Sequence, residues 1–423
     1  MSAKSITLII LCLACLPCFA QLCIEDCYQR AQTNYPLIKQ YDLIEKTKEY
    51  NLSNAHKGYL PQVLFSAKAT YQSDVTQLPI DLSKTGIQGM TIPVLSKDQY
   101  GMTLDVSQTI WDGGNIKAQK ETMSASAEVE KKNVEVSIYA INERINQLYF
   151  GILLADEQIH QNKLLQDELK RNYEKVQSYI ENGVANQADL AAIKIDQLKA
   201  KQNNAQFVSI KKAYVAMLSR FIGEELSEHT KLEKPAQLRP LINTINHPEL
   251  ALYDAQIRYF EAQNRQITSD LMPKLGLFVT GGYGKPGLNM LTDKFEAYYI
   301  GGVKLSWNIG NFYTKKNNKN KIKTNINAVE LQRETFLFNT RLDITLKDND
   351  IDKYLEQLKY DNEIIALRNS VKQASEAKMA NGTLSGTDLT RDINAEQMAI
   401  QDKILHETEL LLAIYNLKFA TNN

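Results

Sequence analysis

Apolar residues recur at Ile138, Ile141, Ile145, Leu148, Ile152, Ala155 and Ile159, in alternating steps of three and four. That spacing is a heptad seam and predicts a helix that buries one stripe. The stretch around it, Asn115 to Asn182, contains no proline and one glycine, Gly151. A helix of that length would reach on the order of 100 Å, whereas ordinary globular helices run to about 20 residues. On periodicity alone a cytosolic coiled coil would be favoured.

Ahead of this helix the period changes to two. Val63, Phe65, Ala67, Ala69 and Tyr71 alternate with Leu64, Ser66, Lys68 and Thr70. Tyr100, Met102, Leu104 and Val106 alternate with Thr103, Asp105, Ser107 and Thr109. Alternation of this kind predicts strands over 63–71 and 100–110. Between them, residues 72–99 carry Pro79, Gly86, Gly89 and Pro93 and read as an exposed loop. A helix interrupted near Pro36 precedes Pro61. The long helix stops at Asn182-Gly183, where glycine permits a left-handed cap. A further helix is expected over 187–221, followed by a connector with Pro235, Pro240 and Pro248.

The same order of signals then recurs. Pro273 stands where Pro61 stood, and strands are expected over 275–283 and 298–308. Trp307-Asn308-Ile309-Gly310-Asn311 repeats Trp111-Asp112-Gly113-Gly114-Asn115, and these are the chain's only two tryptophans. A second long helix, 311–381, has Ile344, Ile351, Leu358 and Ile365 seven apart; it stops at Asn381-Gly382, and a last helix is expected over 387–419. Shared landmarks in a shared order indicate an internal duplication, with repeats at 21–240 and 241–423. The short helices, set end to end, match the long ones between them, which suggests a rod with strands at one end.

Residues 1–20 read as a secretory signal: Lys4, an apolar run from Ile6 to Leu16, and small residues at Cys18-Phe19-Ala20. Beyond them no run of eighteen apolar residues occurs, so no transmembrane helix is expected. With 49 basic and 49 acidic residues the chain is balanced, which argues against a nucleic-acid partner. Cys23 and Cys27 lie one helical turn apart and suit either a local disulfide or two thiols. The five histidines, His56, His160, His229, His247 and His406, show no metal-ligand spacing. Gly282-Tyr283-Gly284-Lys285-Pro286-Gly287 has the letters of a dinucleotide fingerprint. Such a site needs a helix opening at the last glycine, and here Pro286 leads towards another strand. No catalytic constellation stands out, and neither an enzyme, a cofactor nor a metal is expected.

The strands have the length of tilted bilayer-spanning strands. Each has an apolar face and a face carrying Lys68, Asp105 or Lys304. Tyr71, Tyr100, Trp111, Tyr283, Tyr299 and Trp307 stand at strand ends, where aromatic belts form at membrane interfaces. Open sheet edges do not persist in lipid, and four strands enclose no lumen, so several chains must share one barrel. Lys68, Asp105 and Lys304 are then expected on the lumen side.

These residues resemble the TolC-type outer-membrane efflux protein family, also called outer-membrane factors. The resemblance rests on the opening helix from Cys27 to Leu37 with its Asn-x-Pro, on paired Pro61 and Pro273, and on the two tryptophan-led strand ends. Its most specific parts are the turns Asn182-Gly183-Val184-Ala185-Asn186-Gln187-Ala188-Asp189-Leu190 and Asn381-Gly382-Thr383-Leu384-Ser385-Gly386-Thr387-Asp388-Leu389. It implies an α+β membrane protein: a long α-helical coiled-coil tunnel, and four β-strands per chain contributing to a trimeric twelve-stranded outer-membrane β-barrel. It implies the outer membrane of a Gram-negative bacterium, a homotrimer, a periplasmic membrane-fusion (adaptor) protein and an inner-membrane pump. The duct would serve efflux or type I secretion. Adaptor contact would fall on a tip formed by Asn182, Gly183, Asp189, Asn381 and Gly382. In the family the second turn leads into aspartates at the closed periplasmic entrance. Asp388 matches the first; Arg391 stands where a second is usual, which implies a weaker cation site or a salt-bridged gate rather than a pure acidic ring. Asp388 also suits a plain helix cap. The rival reading is a secreted periplasmic coiled-coil scaffold with strands packed on themselves and no pore.

Overall fold

The computed structural model describes residues 21–76, 94–183, 185–240 and 244–422. The secretory signal, most of the 72–99 loop and Val184 lie outside the described residues. The elements in order are α1 (Ile24–Asn34), α2 (Gln40–His56), β1 (Gln62–Tyr71), β2 (Asp98–Trp111), α3 (Asn115–Tyr139), α4 (Ile141–Glu181), α5 (Gln187–Ile222), α6 (Pro248–Ser269), β3 (Lys274–Lys285), β4 (Glu296–Ser306), α7 (Asn311–Ala380) and α8 (Gly386–Thr421). Pro36 opens a short 3₁₀ turn between α1 and α2, because a ring in place of its N–H suits a first helical position.

The chain folds as two compact units, and each takes segments from both halves of the chain. One unit joins the chain up to Gln40 with Val134–Leu250 and everything from Glu334 on; the other joins Tyr41–Asn133 with Ala251–Arg333.

In the first unit α4 packs against α5 and α8. The heptad stripe is the core: Ile138, Ile141, Ile145, Leu148, Ile152 and Ala155 are buried. Of these, Ile141, Ile145, Leu148 and Ile152 cluster with Leu218 and Ile222 of α5 and Leu410, Ile414 and Leu417 of α8. Tyr149 is fully buried, and its hydroxyl donates to the carbonyls of Leu22 (2.8 Å) and Glu233 (2.7 Å), tying the start of the chain to the connector after α5. Arg239 of that connector forks onto Asp348 (3.0 Å) and Asp352 (2.7 Å), one turn apart on α7. Cys23 and Cys27 are free thiols. Cys23 caps α1 through its Sγ, and burial pushes the Cys27 thiol up to about 12.

One expected element differs. The helix over 115–182 is divided at Ala140. The backbone there stays right-handed helical and the Ala140 amide still donates to Val136, so the chain path continues. The irregularity sits beside Tyr139, whose ring stacks on Phe419 at 4.9 Å and whose hydroxyl donates to the Phe419 carbonyl at 2.7 Å. By contrast α7 is a single helix of 70 residues.

In the second unit the four strands form one antiparallel sheet in the order β1-β2-β3-β4. Pairing of Phe65 with Leu104, Val106 with Val279 and Leu277 with Val303 gathers the apolar positions on one face. Asp98 to Trp111, Lys274 to Lys285 and Glu296 to Ser306 extend the expected strands by a residue or two, with β4 ending before Trp307. The residues Gly282 to Lys285 belong to β3, and the glycine-rich stretch turns a hairpin into β4.

Gly151 has a packing reason. A Cβ there would lie 2.5 Å from the Tyr214 ring of α5. Alanine-like gain in helix propensity is about 1 kcal/mol, and overpacking costs about 1–3 kcal/mol. A β-branched side chain forfeits most of the gain, so Gly151→Val is expected to lower the unfolding midpoint in thermal or denaturant melts. An unchanged midpoint would mean that the Tyr214 ring moves aside freely.

Candidate functional site

Two regions hold the sequence-predicted residues: the sheet of the second unit and the paired turns of the first. Register settles which sheet residues share a face. Val63, Phe65, Leu104, Val303 and Leu305 lie on one face; Lys68, Asp105 and Lys304 lie on the other. Asp105 accepts from Thr280 of the neighbouring β3 (2.5 Å) and from Thr103 of its own strand (3.1 Å), so its carboxylate is held in place. This second face is not wholly polar. Phe278 pairs across from Gly302, and the Tyr298 ring covers Gly282 so closely that a Cβ there would lie 2.2 Å from it.

Both faces are open to solvent. Every residue of β1 is exposed, as are all but one of β4, and β1 and β4 are the unpaired edges. Val63 (63%), Phe65 (65%), Val303 (65%) and Leu305 (68%) are far more exposed than any soluble core face would be.

The aromatic residues divide between the two ends of the sheet. Tyr71, Tyr100, Tyr283 and Tyr299 lie toward the loop end of their strands, and Trp111 and Trp307 at the helix end. Tyr100 and Tyr283 both pack on Phe295, at 6.3 and 5.6 Å. Phe295 was not visible as a partner in the sequence, because it lies in the hairpin rather than at a strand position. Trp111 reaches the apolar face through a bulge after Thr109, which shifts its pairing onto Leu275. From Leu275 to Tyr283 is about 27 Å along the strand, comparable with the ~25 Å apolar band of a tilted membrane barrel.

The tryptophan-led motifs start the long helices. Asp112 accepts from the amides of Gly114 (2.9 Å) and Ile116 (2.6 Å), capping α3, while Gly113 and Gly114 adopt left-handed φ of 70° and 84°. In the second copy Asn308 turns instead to Asn311 (3.0 Å). The two first helical residues, Asn115 and Asn311, both bond Asp270: Asn115 to its carboxylate, and Asn311 to its carbonyl at 2.9 Å.

The turns are built alike. Gly183 and Gly382 take φ of 74° and 71°, and the amides of each turn close back onto the helix end. Asn182 and Asn381 donate to the carbonyls four residues earlier, Ser178 (2.8 Å) and Ala377 (3.0 Å). These four residues are exposed. Asn186 and Asp189 form a capping box on α5, and Ser385 with Asp388 caps α8. Asp388 therefore does serve as a first-turn cap residue. It also lies 3.2 Å from Arg391, an ion pair in which Arg391 is largely exposed.

Asp189 does more than cap. It is buried, and its Oδ1 accepts from the Thr387 amide at 3.1 Å and the Thr387 hydroxyl at 3.3 Å. One carboxylate thus joins both turns. Gly386 makes room for it, since a Cβ there would lie 2.7 Å from Asp189 Cβ. Further along, Lys372 of α7 lies between Glu168 of α4 (3.0 Å) and Glu396 of α8, so three helices share one buried ionic group. Neither the clasp nor this triad was legible beforehand, because each depends on contacts between residues far apart in the chain.

A four-stranded sheet with two exposed faces and two open edges, joined to very long helices, is a fold shared with solved outer-membrane channels. The outer membrane efflux protein family model matches residues 27–224. The alkaline protease secretion protein AprF of Pseudomonas aeruginosa is 25% identical over 269 residues, covering 58% of this chain; the chain spans about half, 52%, of that relative's length. The outer-membrane channel OprN superposes with a TM-score of 0.68 at 14% identity, over 94% of this chain and 89% of its own. The CmeC outer membrane channel of Campylobacter jejuni gives 0.64 at 13% identity, over 94% and 85%. The family match, over just under half of the chain, and the shared fold make this chain similar to the TolC-type outer-membrane efflux proteins.

Replacing Asp189 with alanine removes the acceptor for Thr387 and half the capping box. Hydrogen bonds to charged groups contribute about 1.5–3 kcal/mol. Native-state hydrogen exchange at the Thr387 amide should accelerate by about tenfold or more, with the heptad core unaffected. Unchanged exchange at Thr387 would remove the clasp.

Proposed function

We propose that this chain is the outer-membrane exit duct of a tripartite efflux or type I secretion system, a passive conduit from periplasm to exterior. The observation that supports this best is the sheet: two exposed faces, one apolar and one bearing Lys68, Asp105 and Lys304, with β1 and β4 unpaired. In lipid such edges must be satisfied, and pairing β1 of one copy with β4 of the next does so. Three copies make a twelve-stranded barrel with the apolar face toward lipid and the charged face toward the lumen. A soluble scaffold would instead have to bury the apolar face, and no helix of its own unit covers it.

In this reading Tyr71, Tyr100, Tyr283 and Tyr299 mark one membrane interface and Trp111 and Trp307 the other. The paired turns meet the periplasmic adaptor through Asn182, Gly183, Asn381 and Gly382, with Asp189 holding them together from inside. An inner-membrane pump supplies the energy. Asp388 and Arg391 line the periplasmic entrance, where a three-fold axis would bring three ion pairs close together. The two sequence repeats arose by duplication, each supplying one strand pair and one long helix.

Single-channel recording in planar bilayers tests this. The wild-type protein should insert and conduct, and Arg391→Asp should make the entrance more cation-selective. Failure to conduct would contradict the duct; wild-type conductance and selectivity in both Arg391→Asp and Asp388→Asn would remove these two residues from the gate and leave Asp388 its capping role.

A further inference from the structure

The first four turns of α7 carry five lysines, Lys315, Lys316, Lys319, Lys321 and Lys323, and no acidic residue occurs between Asn311 and Val329. At 100° per residue, Phe312, Lys315, Lys316, Lys319 and Lys323 fall within about 100° of the helix circumference, and Lys321 lies opposite. Buried Ile322 and Val329 border the stripe on the Lys315 side; Phe312, Lys316 and Lys323 are exposed, and Lys315 and Lys319 are half-buried beside that packing edge. Among the described residues none of the four stripe lysines is in an ion pair; Lys315 sits over the Phe312 ring at 5.7 Å.

The stripe is continuous with the apolar face of the sheet. Trp307 follows Leu305 and Val303 at the two-residue spacing of that face, and its ring meets Phe312 edge-on at 6.3 Å. Trp307 and Phe312 are both exposed. An exposed aromatic pair followed by lysines on one face is the arrangement of a membrane interface, with rings at the headgroup level and long cationic side chains reaching the phosphates. Lys315 and Lys316 lie about 5 and 6 Å along the axis from Phe312, Lys319 about 10 Å, near enough for its long side chain to reach back, and Lys323 about 16 Å, beyond the headgroups. The headgroup layer is about 5–7 Å deep on each side of the hydrocarbon.

We propose that Lys315, Lys316 and Lys319 form a binding face for anionic phospholipid headgroups of the leaflet adjoining the helix end of the sheet, with Trp307 and Phe312 seating the acyl chains. This rests on the sheet lying in the bilayer. An anionic surface attracts each nearby lysine by about 1 kcal/mol, or about fivefold in affinity. Three such lysines on one face therefore select anionic over zwitterionic lipid.

The two tryptophans provide the test. In full-length protein carrying Trp111→Phe, Trp307 is the sole indole. It is reconstituted into phosphatidylcholine vesicles containing a minor fraction of phosphatidylglycerol, with bromine on the acyl chains of one lipid or the other. Brominated phosphatidylglycerol is expected to quench Trp307 at least tenfold more effectively per lipid than brominated phosphatidylcholine. The triple lysine-to-glutamine variant at positions 315, 316 and 319 should bring that ratio close to one, the corresponding triple arginine variant should restore it, and Lys321→Gln should leave it unchanged. Equal quenching by both lipids in the parent protein, or a ratio unmoved by the glutamine variant, would overturn the lipid site while leaving the membrane barrel intact. No quenching by either lipid would overturn the barrel reading and the lipid site with it.

Discussion

Everything in this structure answers to one constraint: a four-stranded sheet with a row of unpaired backbone groups on each edge. Within one chain β1 and β4 have no outer neighbour. In water such edges invite uncontrolled pairing, and in lipid each unsatisfied group costs several kcal/mol. Closing the sheet with further copies removes the edges and makes the two faces different solvents. The apolar face of Val63, Phe65, Leu104, Val303 and Leu305 becomes intelligible only when something apolar lies against it.

The same constraint explains the helices. A strand pair delivered from each sequence repeat must return to a helix at the same end of the sheet, and Asp270 holds both helix starts, Asn115 and Asn311. At the other end of the helices the chain reverses twice through glycines, and the two reversals are held together by the Asp189 carboxylate. Such a carboxylate, satisfied by one backbone amide of each turn, costs little to bury, and leaving it unpaired would be expensive. The tip residues Asn182 and Asn381 stay outside because their side chains bond only to their own helices.

Much of this was legible in the sequence, for a physical reason. Strand faces follow from a period of two, and heptad burial from steps of three and four, so the sheet faces and the Ile138-to-Ala155 stripe could be read locally. The glycine stops were equally local. What escaped was non-local or irregular. The bulge that moves Trp111 onto the apolar face leaves no trace in alternation, and the division at Ala140 lies beside a ring stacked across 280 residues of chain. Asp189 resembled a surface cap until Thr387 came to meet it. Phe295 sat in a hairpin, where no periodicity marks a partner.

The central claim is that β1 of one copy pairs with β4 of the next. Disulfide trapping tests it most directly. In a chain with Cys23 and Cys27 replaced by alanine, single cysteines are placed along β1 and along β4, one in each strand. Pairs in register should cross-link, alternate with the two-residue period of the strands, and yield covalent species up to a trimer and no larger. Cross-links confined within one chain, or an unlimited ladder of higher species, would contradict the closed three-copy barrel.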